Sequence, residues 1–336
     1  MRISIDAMGG DFAPAEIVAG TLQAAKTLKG IDRLFLVGNE TAIQAELSRS
    51  KGPIPACIEV VHASEVVGMA ESPAVAIRRK KDSSITRSVE LVKDGKADAV
   101  FSAGNTGAAV AAATLKLRTL QGVARPAIAA ILPTPDKPFV LLDAGANPDS
   151  TPEMIQQYAV MGSIYSREIL GVDNPSVGLL SIGEEAAKGN ETTKKTFGLL
   201  ENTHVNFVGN VESRDLYGGK VSVAVCDGFV GNVVLKTSEA VASMIAGWLK
   251  TMFKQNIIRI LGYFFSRGVF KEMRSHSDPS SHGGAPLLGA NGIVIIGHGS
   301  SNAFAVFNGI RVASEAIDHD LNHLIEAELK SINSDT

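Results

Sequence analysis

Short apolar runs recur along the chain and predict a sheet of buried strands. Nine runs rich in Val, Ile, Leu and Phe cover residues 2–8, 33–38, 57–63, 97–103, 138–145, 176–183, 205–211, 221–228 and 292–297. Several of them are too continuously apolar for a strand that exposes one face to water. This pattern indicates strands that are covered on both faces.

Helical patterns with recognisable ends lie between these runs. Thr151, Pro152 and Glu153 predict an N-cap and the first turn of a helix, and Gly171 lies just past the end of that helix. Strands that alternate with helices predict an α/β fold with a doubly wound, mainly parallel sheet. We expect residues 1–330 to form a single α/β catalytic unit, of one lobe or of two lobes around a cleft, and residues 331–336 to form a tail.

Two stretches depart from this alternation. Residues 248–270 hold six of the chain's 18 aromatic side chains, with basic residues between them. Residues 275–292 are rich in Ser, Gly and Pro, which is typical of a connector that is mobile or lines a site. The sequence therefore predicts an apolar helical excursion and a mobile connector at 248–290.

Charge and cysteine content narrow the classes of protein. The chain has 336 residues and a formal net charge of −3, so no global attraction draws it to nucleic acid or to anionic lipid. Its two cysteines are too few for a disulfide framework, and Asp6 stands where a signal peptide would be apolar. No apolar run approaches the roughly 20 residues that a spanning helix needs. We expect a cytoplasmic protein with no integral membrane segment.

Small polar turns follow six of the predicted strands, at residues 6–11, 102–107, 143–147, 183–190, 227–232 and 297–302. Ligands of parallel sheets bind beyond the carboxyl ends of the strands. The turn SAGNTG leads into a helix, so its backbone N–H groups and the helix dipole favour an anion. We predict that it binds phosphate through Ser102, Gly104, Asn105, Thr106 and Gly107, although tight turns use the same residue types without any ligand.

Motifs of several other enzyme classes are absent from the sequence. It contains neither GxGxxG nor GxxxxGK[ST], which weakens a dinucleotide or nucleoside triphosphate site. It contains no HExxH, CxxC or GxSxG, so metal-ligand spacing and a serine nucleophile elbow are also missing. If the protein is an enzyme, the attacking group would then belong to a substrate.

Eight collinear segments resemble one known family. They are DAMGGD (6–11), ESPAVAIRRKKDSS (71–84), SAGNTGA (102–108), LLDAGAN (141–147), GEEAAKGNE (183–191), CDGFVGNVVLK (226–236), GGAPLLGANG (283–292) and HGSSNA (298–303). Together they resemble the bacterial phosphate acyltransferases, which form acyl phosphate and free carrier protein from acyl-acyl-carrier-protein and inorganic phosphate in fatty acid and phospholipid biosynthesis. The resemblance implies a fold similar to the isocitrate and isopropylmalate dehydrogenases and to phosphotransacetylase. It also implies a homodimer that uses neither a metal nor a cofactor such as nicotinamide.

The resemblance also implies roles for single residues. The lysine of GEExxKGN and the asparagine of DGFxGN, here Lys188 and Asn232, are the expected catalytic residues. From spacing alone, Lys188 could instead be a surface lysine and Asn232 a helix N-cap. Residues of the other turns are expected to shape the site: Asp6, Gly9, Gly10, Asn147, Asp227 and His298.

Two surfaces are candidates for larger partners. Acyl carrier protein is acidic, so the basic run Arg78, Arg79, Lys80 and Lys81 is a candidate docking site, although such a run is usually a solvated helix face. A second surface is apolar with basic flanks and could lie in a membrane interface through Ile257, Leu261, Phe264 and Phe265. The same aromatics could be buried in a dimer. A peripheral contact of this kind would suit handover of product to a membrane-bound glycerol-phosphate acyltransferase.

Two other functions use the same pocket. A coenzyme-A-dependent phosphotransacylase differs only in the thiol that carries the acyl group. A non-catalytic acyl or lipid sensor would need no groups directed at a reacting carbonyl, and the pair Lys188 and Asn232 therefore favours an enzyme.

Overall fold

The computed structural model describes residues 1–50, 52–277 and 279–334. In this part of the chain twelve strands alternate with helices. The strands are β1 (Arg2–Asp6), β2 (Arg33–Gly38), β3 (Ile58–His62), β4 (Ala99–Ser102), β5 (Ala127–Ile128), β6 (Ala130–Leu132), β7 (Phe139–Leu142), β8 (Ser176–Leu180), β9 (Asn206–Val211), β10 (Val223–Val225), β11 (Ala285–Leu288) and β12 (Ile293–Ile296). Each of the nine apolar runs contains a strand, which confirms the nine predicted strands.

The same residues contain thirteen helices. They are α1 (Ala15–Thr27), α2 (Glu40–Arg49), α3 (Pro73–Arg79), α4 (Ser84–Lys93), α5 (Thr106–Lys116), α6 (Pro152–Glu168), α7 (Glu191–Leu200), α8 (Ser213–Tyr217), α9 (Gly228–Phe253), α10 (Ile257–Ser277), α11 (Pro279–His282), α12 (Ala303–Asp318) and α13 (Leu321–Ser334). The predicted start of α6 is confirmed, because the Thr151 side chain accepts a hydrogen bond from the N–H of Met154. Gly171, with φ +66°, follows the helix as predicted.

The strands form two sheets, which define two lobes. The first lobe has seven strands in the order β3-β2-β1-β4-β12-β11-β5, and the second has five in the order β6-β7-β10-β8-β9. Every pairing between two of the nine predicted strands is parallel. The predicted α/β fold with a mainly parallel sheet is confirmed.

Three short strands were not predicted, and all three pair in antiparallel fashion. They are β5, β6 and β11. Strand β11 lies within the segment that the sequence predicts as a connector, where Ala285 pairs with Ile296 of β12. Strands β5 and β6 divide the short alanine-rich stretch 127–132 between the two sheets, and β11 contains Pro286, so the apolar pattern alone does not identify them as strands.

The apolar core extends from one sheet to the other. Val100 of the first lobe and Leu141 of the second belong to one cluster of buried side chains, which also includes Ile128 and Leu287 near the junction. Strand β2 shows why the apolar runs are continuous, since the consecutive residues Leu34, Phe35 and Leu36, which alternate between its two faces, are all buried. The two lobes therefore share core packing.

Helices α9 and α10 extend away from this core as a hairpin. Among the described residues, α9 is the one helix whose length and composition would allow it to cross a membrane. Only its first turn is deeply buried, at Gly228 and Gly231. The two helices join through an aromatic cluster, in which the ring centroids of Phe253 and Phe270 lie 5.1 Å apart. The predicted apolar excursion thus has the form of two helices.

Candidate active site

The turns after β1 and β4 meet because these strands are parallel neighbours. The hydroxyl of Ser102 donates to Oδ2 of Asp6 at 2.7 Å. The backbone N–H of Gly104 donates to the same hydroxyl at 3.2 Å, and the N–H of Met8 donates to Oδ1 of Asp6 at 3.3 Å. Asp6 therefore organises both turns.

Asp6 is almost completely buried, with 3% of its surface exposed. Burial raises the pKa of its carboxyl above the ordinary value, while hydrogen bonds from Ser84 and Ser102 act in the opposite direction. A carboxyl group in this position would repel a bound phosphate whenever it is ionised. The structure therefore places Asp6 among the groups that shape the turns.

Two glycines allow the turns to approach so closely. A Cβ atom on Gly9 would lie 2.7 Å from both Oδ2 of Asp6 and the backbone nitrogen of Gly104. Gly10 has φ +106°, a backbone conformation that residues with a side chain rarely adopt. It lies beside the carbonyl of Gly299. Both predicted glycine positions are at the meeting point of three turns.

The turn after β12 completes this edge of the first lobe. The N–H of Asp11 donates to the carbonyl of Gly299 at 2.7 Å. His298 is exposed, and its Nδ1 lies 2.8 Å from the hydroxyl of Ser300. The structure gives His298 a hydrogen bond within its own turn, and an acid or base role for it stays a prediction.

The side chain of Asn105 is fully engaged inside the protein. Its Oδ1 accepts from the N–H of Ala108 and caps α5, while its Nδ2 donates to the carbonyls of Gly68, Met69 and Glu71. The polar groups of the Ser102 and Asn105 side chains therefore form hydrogen bonds inside the protein that fix the neighbouring loops. In SAGNTG the first-turn N–H groups of Thr106 and Gly107 have no partner inside an α-helix and remain available to a ligand.

A second buried carboxyl organises the turn after β7. Asp143 is completely buried, and its oxygens accept hydrogen bonds from the backbone N–H groups of Ile128, Gly145, Ala146 and Asn147. Burial raises the pKa of Asp143, and these backbone hydrogen bonds act in the opposite direction. The 144–147 loop is therefore fixed in one shape.

Helix α9 begins against this loop. Asp227 is its N-cap and accepts from the N–H of Val230 at 2.8 Å, so the alternative that Asn232 is the N-cap is wrong. A Cβ atom on Gly231 would lie 1.9 Å from the carbonyl oxygen of Asp143, which shows how closely the helix approaches.

Asn232 contacts the loop at Gly145. A Cβ atom built on that glycine would lie 3.2 Å from Cβ of Asn232 and 3.4 Å from its Oδ1. Packing of the first turn of α9 thus holds the Asn232 side chain beside the 144–147 loop.

Lys188 lies on a separate loop after β8. This loop is tied down by the N–H of Lys188 and by Nδ2 of Asn210, both of which donate to the carbonyl of Glu185. The Lys188 side chain is exposed and forms no ion pair within the described residues, whereas the adjacent Glu184 pairs with Lys220 at 3.0 Å. No hydrogen bond or ion pair in the described ranges connects Lys188 with Asn232.

A cleft of about 320 Å³ opens between the two lobes. The residues that line it are Pro73, Ala74, Arg78, Thr106, Gly107, Val110, Ala111, Thr114, Leu115, Arg125, Gly145, Ala146 and Asn147. One part of the lining is cationic and polar, and the wall along α5 is aliphatic. The cleft therefore suits an anionic group joined to an apolar one.

The cleft brings together residues that the sequence predicted for different roles. Thr106, Gly107 and Asn147 line it, and Asn232 contacts the loop of Asn147. Arg78, predicted as part of a docking surface, also lines it. The sequence analysis missed Arg125, since no motif marks an isolated arginine before a two-residue strand.

The basic run 78–81 is divided in the structure. Lys80 donates to Oε1 of Glu71 at 2.5 Å and to the carbonyl of Val66, so its ammonium is already paired. Arg79 and Lys81 are exposed and form no ion pair within the described residues. The docking surface that remains is therefore smaller than predicted.

The sequence of the chain is similar to known proteins over nearly its whole length. A family model described as "Fatty acid synthesis protein" matches residues 1–324. The chain is 49% identical over 332 residues to a phosphate acyltransferase of Pelotomaculum thermopropionicum, covering 99% of this chain and 96% of that protein. It is 50% identical over 331 residues to a phosphate acyltransferase of Desulfitobacterium hafniense, covering 98% of each.

A solved structure shares the fold at low sequence identity. The phosphotransacetylase of Streptococcus pyogenes aligns with a TM-score of 0.60 and 18% identity, covering 95% of this chain and 94% of that one. This likeness supports the α/β fold that the sequence predicts.

Proposed function

The chain belongs to the fatty acid synthesis protein family and is a phosphate acyltransferase, and we propose that its acyl donor is acylated acyl carrier protein. The products are then acyl phosphate and free carrier protein. The observation that carries this proposal is the inter-lobe cleft, whose cationic part suits phosphate and whose aliphatic wall suits an acyl group. Neither a metal nor a cofactor enters the proposed reaction.

In the proposed reaction a phosphate oxygen attacks the carbonyl carbon of the thioester. A carbon–oxygen bond forms, the carbon–sulfur bond breaks, and the carrier's pantetheine thiolate leaves with the electron pair. Because a thiol has a pKa near 8.5, the thiolate leaves without a strong general acid. The site must therefore supply mainly position and charge stabilisation.

Two residues are proposed to supply the charge stabilisation. The amide of Asn232, held beside Gly145 at the cleft, donates to the oxyanion that develops on the thioester carbonyl. The ammonium of Lys188, which no carboxylate neutralises within the described residues, offsets the charge of the phosphate. Loss of one oxyanion donor typically lowers the rate about 100- to 1,000-fold.

The carrier protein is proposed to dock through the exposed part of the basic run. Arg79 and Lys81 are exposed. Arg79 is the last residue of α3, which lines the cleft, and Lys81 follows two residues later. Acidic carrier protein would meet these side chains as its acyl group enters the cleft.

A coenzyme-A-dependent reaction is the second candidate, favoured by the fold shared with a phosphotransacetylase. Initial rates with palmitoyl-acyl-carrier-protein and with palmitoyl-coenzyme A, each with phosphate, distinguish the two. We expect kcat/KM to be at least about 10-fold higher for the carrier protein, since a charged docking surface adds roughly this much. The double variant Arg79→Glu/Lys81→Glu should raise KM for the carrier protein only. Equal use of both donors by the wild type, unaffected by this variant, would reject carrier-protein docking.

The α9–α10 hairpin is proposed to attach the enzyme peripherally to a membrane, and the active form is proposed to be a homodimer. Ile257, Leu261, Phe264 and Phe265 follow helical spacing on one face of α10, and Phe265 is 82% exposed. Membrane contact would place acyl phosphate near a membrane-bound glycerol-phosphate acyltransferase that consumes it. The cell compartment proposed for the protein is the cytoplasmic side of that membrane.

A further inference from the structure

Two arginines line the inter-lobe cleft and have no carboxylate partner in the part of the chain that the structure describes. Arg78 lies on α3, and Arg125 precedes β5. Neither forms an ion pair within the described residues, although basic side chains on neighbouring elements do. Lys116 pairs with Glu90 at 2.8 Å, for example. The cleft lining contains no Asp and no Glu, so its charged groups are both positive.

The backbone on both sides of Arg125 is tied to the second lobe. The N–H of Ala124 donates to Oε1 of Gln157 on α6 at 2.9 Å. The carbonyl of Pro126 accepts from Nδ2 of Asn147 at 2.7 Å, and the same Nδ2 lies 3.0 Å from Oδ2 of Asp143. Arg125 therefore starts from a fixed position at the edge of the cleft.

The backbone of α3 is held equally firmly against the first lobe. Ala76 and Ile77 are the buried residues of this helix. The Asn105 side chain donates a hydrogen bond to the carbonyl of Glu71, which lies just before the helix. A Cβ atom on Gly107 would lie 2.5 Å from Cγ of Pro73, so the first turns of α3 and α5 touch. Arg78 thus lines the same cleft as Thr106 and Gly107, whose N–H groups have no partner inside α5.

Arg78 and Arg125 are both exposed, and as the charged side chains of the cleft lining they give the cleft a positive potential that attracts an anion. The planar guanidinium donates two parallel hydrogen bonds to phosphate, and it suits this anion better than an ammonium does. On the opposite side of the SAGNTG turn, the hydroxyl of Ser102 donates its proton to Asp6 and so has none to donate to a ligand. The anion-binding side of this turn is therefore the side that faces the second lobe.

We propose that Arg78 and Arg125 form a clamp for a phosphate group at the junction of the two lobes, with the N–H groups of Thr106 and Gly107 as further donors. The role of this clamp in acyl transfer rests on the proposed function. The phosphate chemistry has two possible sources, the inorganic phosphate that accepts the acyl group and the phosphodiester of the carrier's prosthetic arm.

Binding can be measured without turnover, by thermal unfolding in potassium phosphate and in potassium chloride of equal ionic strength. Phosphate binding to the folded protein raises its Tm. We expect Arg78→Ala and Arg125→Ala each to need roughly 10- to 100-fold more phosphate for the same increase, because a hydrogen bond to a charged group contributes about this factor. The matched control is Arg118→Ala, which removes an exposed arginine just past the other end of α5. It should respond to phosphate as the wild type does.

Kinetics with two donors identify the source of the phosphate group. One donor is palmitoyl-acyl-carrier-protein, and the other is the palmitoyl thioester of N-acetylcysteamine, which lacks the phosphodiester. If the clamp holds inorganic phosphate, both variants raise KM for phosphate with either donor. If it holds the prosthetic arm, the phosphate-dependent increase in Tm is unchanged, and KM rises only for the carrier-protein donor. Variants that change neither KM nor the response of Tm to phosphate would overturn the clamp.

Failure of the clamp and failure of the proposed function give different results. A wild type that makes no acyl phosphate, yet gains stability from phosphate in an arginine-dependent way, would contradict the function and retain the clamp. If the wild type, Arg78→Ala and Arg125→Ala all make acyl phosphate at the same rate at every phosphate and donor concentration, the result would contradict the clamp and support the function. Melting in potassium chloride shows that each variant is folded.

Discussion

Single polar residues at the strand ends divide into those that hold loops and those that face the cleft. Asp6, Asp143 and Asn105 are buried or fully hydrogen-bonded, and each fixes the shape of a turn. Thr106 and Arg125 leave donors available to a ligand. A sequence shows that a turn contains Asn or Asp, but the direction of the side chain depends on neighbours far away in the chain.

The burial of Asp6 predicts a pH dependence of stability. Burial raises its pKa in the folded protein above that in the unfolded chain, which is about 3.9. Between these two pKa values the folded state binds more protons, so the free energy of unfolding falls as the pH rises. Asp6→Asn removes this titration. The free energy of unfolding of the wild type minus that of the variant should therefore be greatest below pH 4 and fall by at most about 1.4 kcal/mol per pH unit.

Urea unfolding of the two proteins at a series of pH values measures this difference. Asp94→Asn, at an exposed position after α4, is the control for loss of a carboxylate. A difference between wild type and Asp6→Asn that stays constant, or that increases with pH, would show that the folded protein does not raise the pKa of Asp6.

At the scale of secondary structure, the parallel strands could be predicted and the three strands with antiparallel pairing could not. The parallel strands are buried on both faces, so their apolar runs were visible in sequence. Strand β5 has two residues and β6 has three, and tertiary pairing rather than local pattern defines them. The start that the sequence suggested for α9, an N-cap at Asn232, is wrong, because Asp227 caps the helix. The close approach of α9 to the Asp143 loop requires glycine at position 231, and this requirement is visible only in the three-dimensional structure.

Close packing of α9 predicts opposite effects for two glycines in the same helix. In Gly231→Ala the new Cβ would lie 1.9 Å from the carbonyl oxygen of Asp143, so the helix must move and carry Asn232 with it. We expect destabilisation of roughly 1–3 kcal/mol and a marked loss of kcat. Gly247 has no neighbour within 4 Å, so Gly247→Ala should stabilise the helix by about 0.5–1 kcal/mol and leave activity unchanged.

Denaturant unfolding and the acyl phosphate assay together test this pair. Full activity and unchanged stability in Gly231→Ala would show that the junction between α9 and the 144–147 loop is not as tight as the structure has it. Destabilisation by Gly247→Ala would indicate that this part of α9 is packed against another surface.

At the scale of the whole molecule, the family and the fold class could be predicted from collinear motifs. Which residues line the cleft could not be predicted. Arg125 joins the site only because Gln157 and Asn147 tie its backbone to the second lobe. The motif containing Arg78 was visible, yet its spacing cannot separate a cleft residue from a surface residue. Lys188 remains a prediction carried by family resemblance, since no described contact connects it to the cleft.

The exposed apolar face of α10 predicts membrane binding. In the double variant Phe264→Ser/Phe265→Ser two aromatic side chains are lost from this face, one of them beneath the guanidinium of Arg267 at 4.7 Å. We expect the variant to float with anionic phospholipid vesicles at least about 10-fold less than the wild type, because each buried aromatic contributes roughly 1.5–3 kcal/mol.

Ile54→Ser, which changes an exposed apolar residue elsewhere, is the control and should float as the wild type does. Light scattering gives the mass of each variant in solution. A folded double variant that floats like the wild type would contradict insertion of this face. If that variant also changed from dimer to monomer, the aromatics would belong to a dimer interface.

The most direct test of the central claim is phosphate-dependent formation of acyl phosphate. Purified protein is incubated with palmitoyl-acyl-carrier-protein and phosphate, and hydroxylamine traps the product as a hydroxamate. Wild type should form hydroxamate only when phosphate is present, while Lys188→Ala and Asn232→Ala should each be slower by about 100- to 1,000-fold. A folded wild type that forms none, or variants that form it at the wild-type rate, would contradict acyl transfer at this cleft.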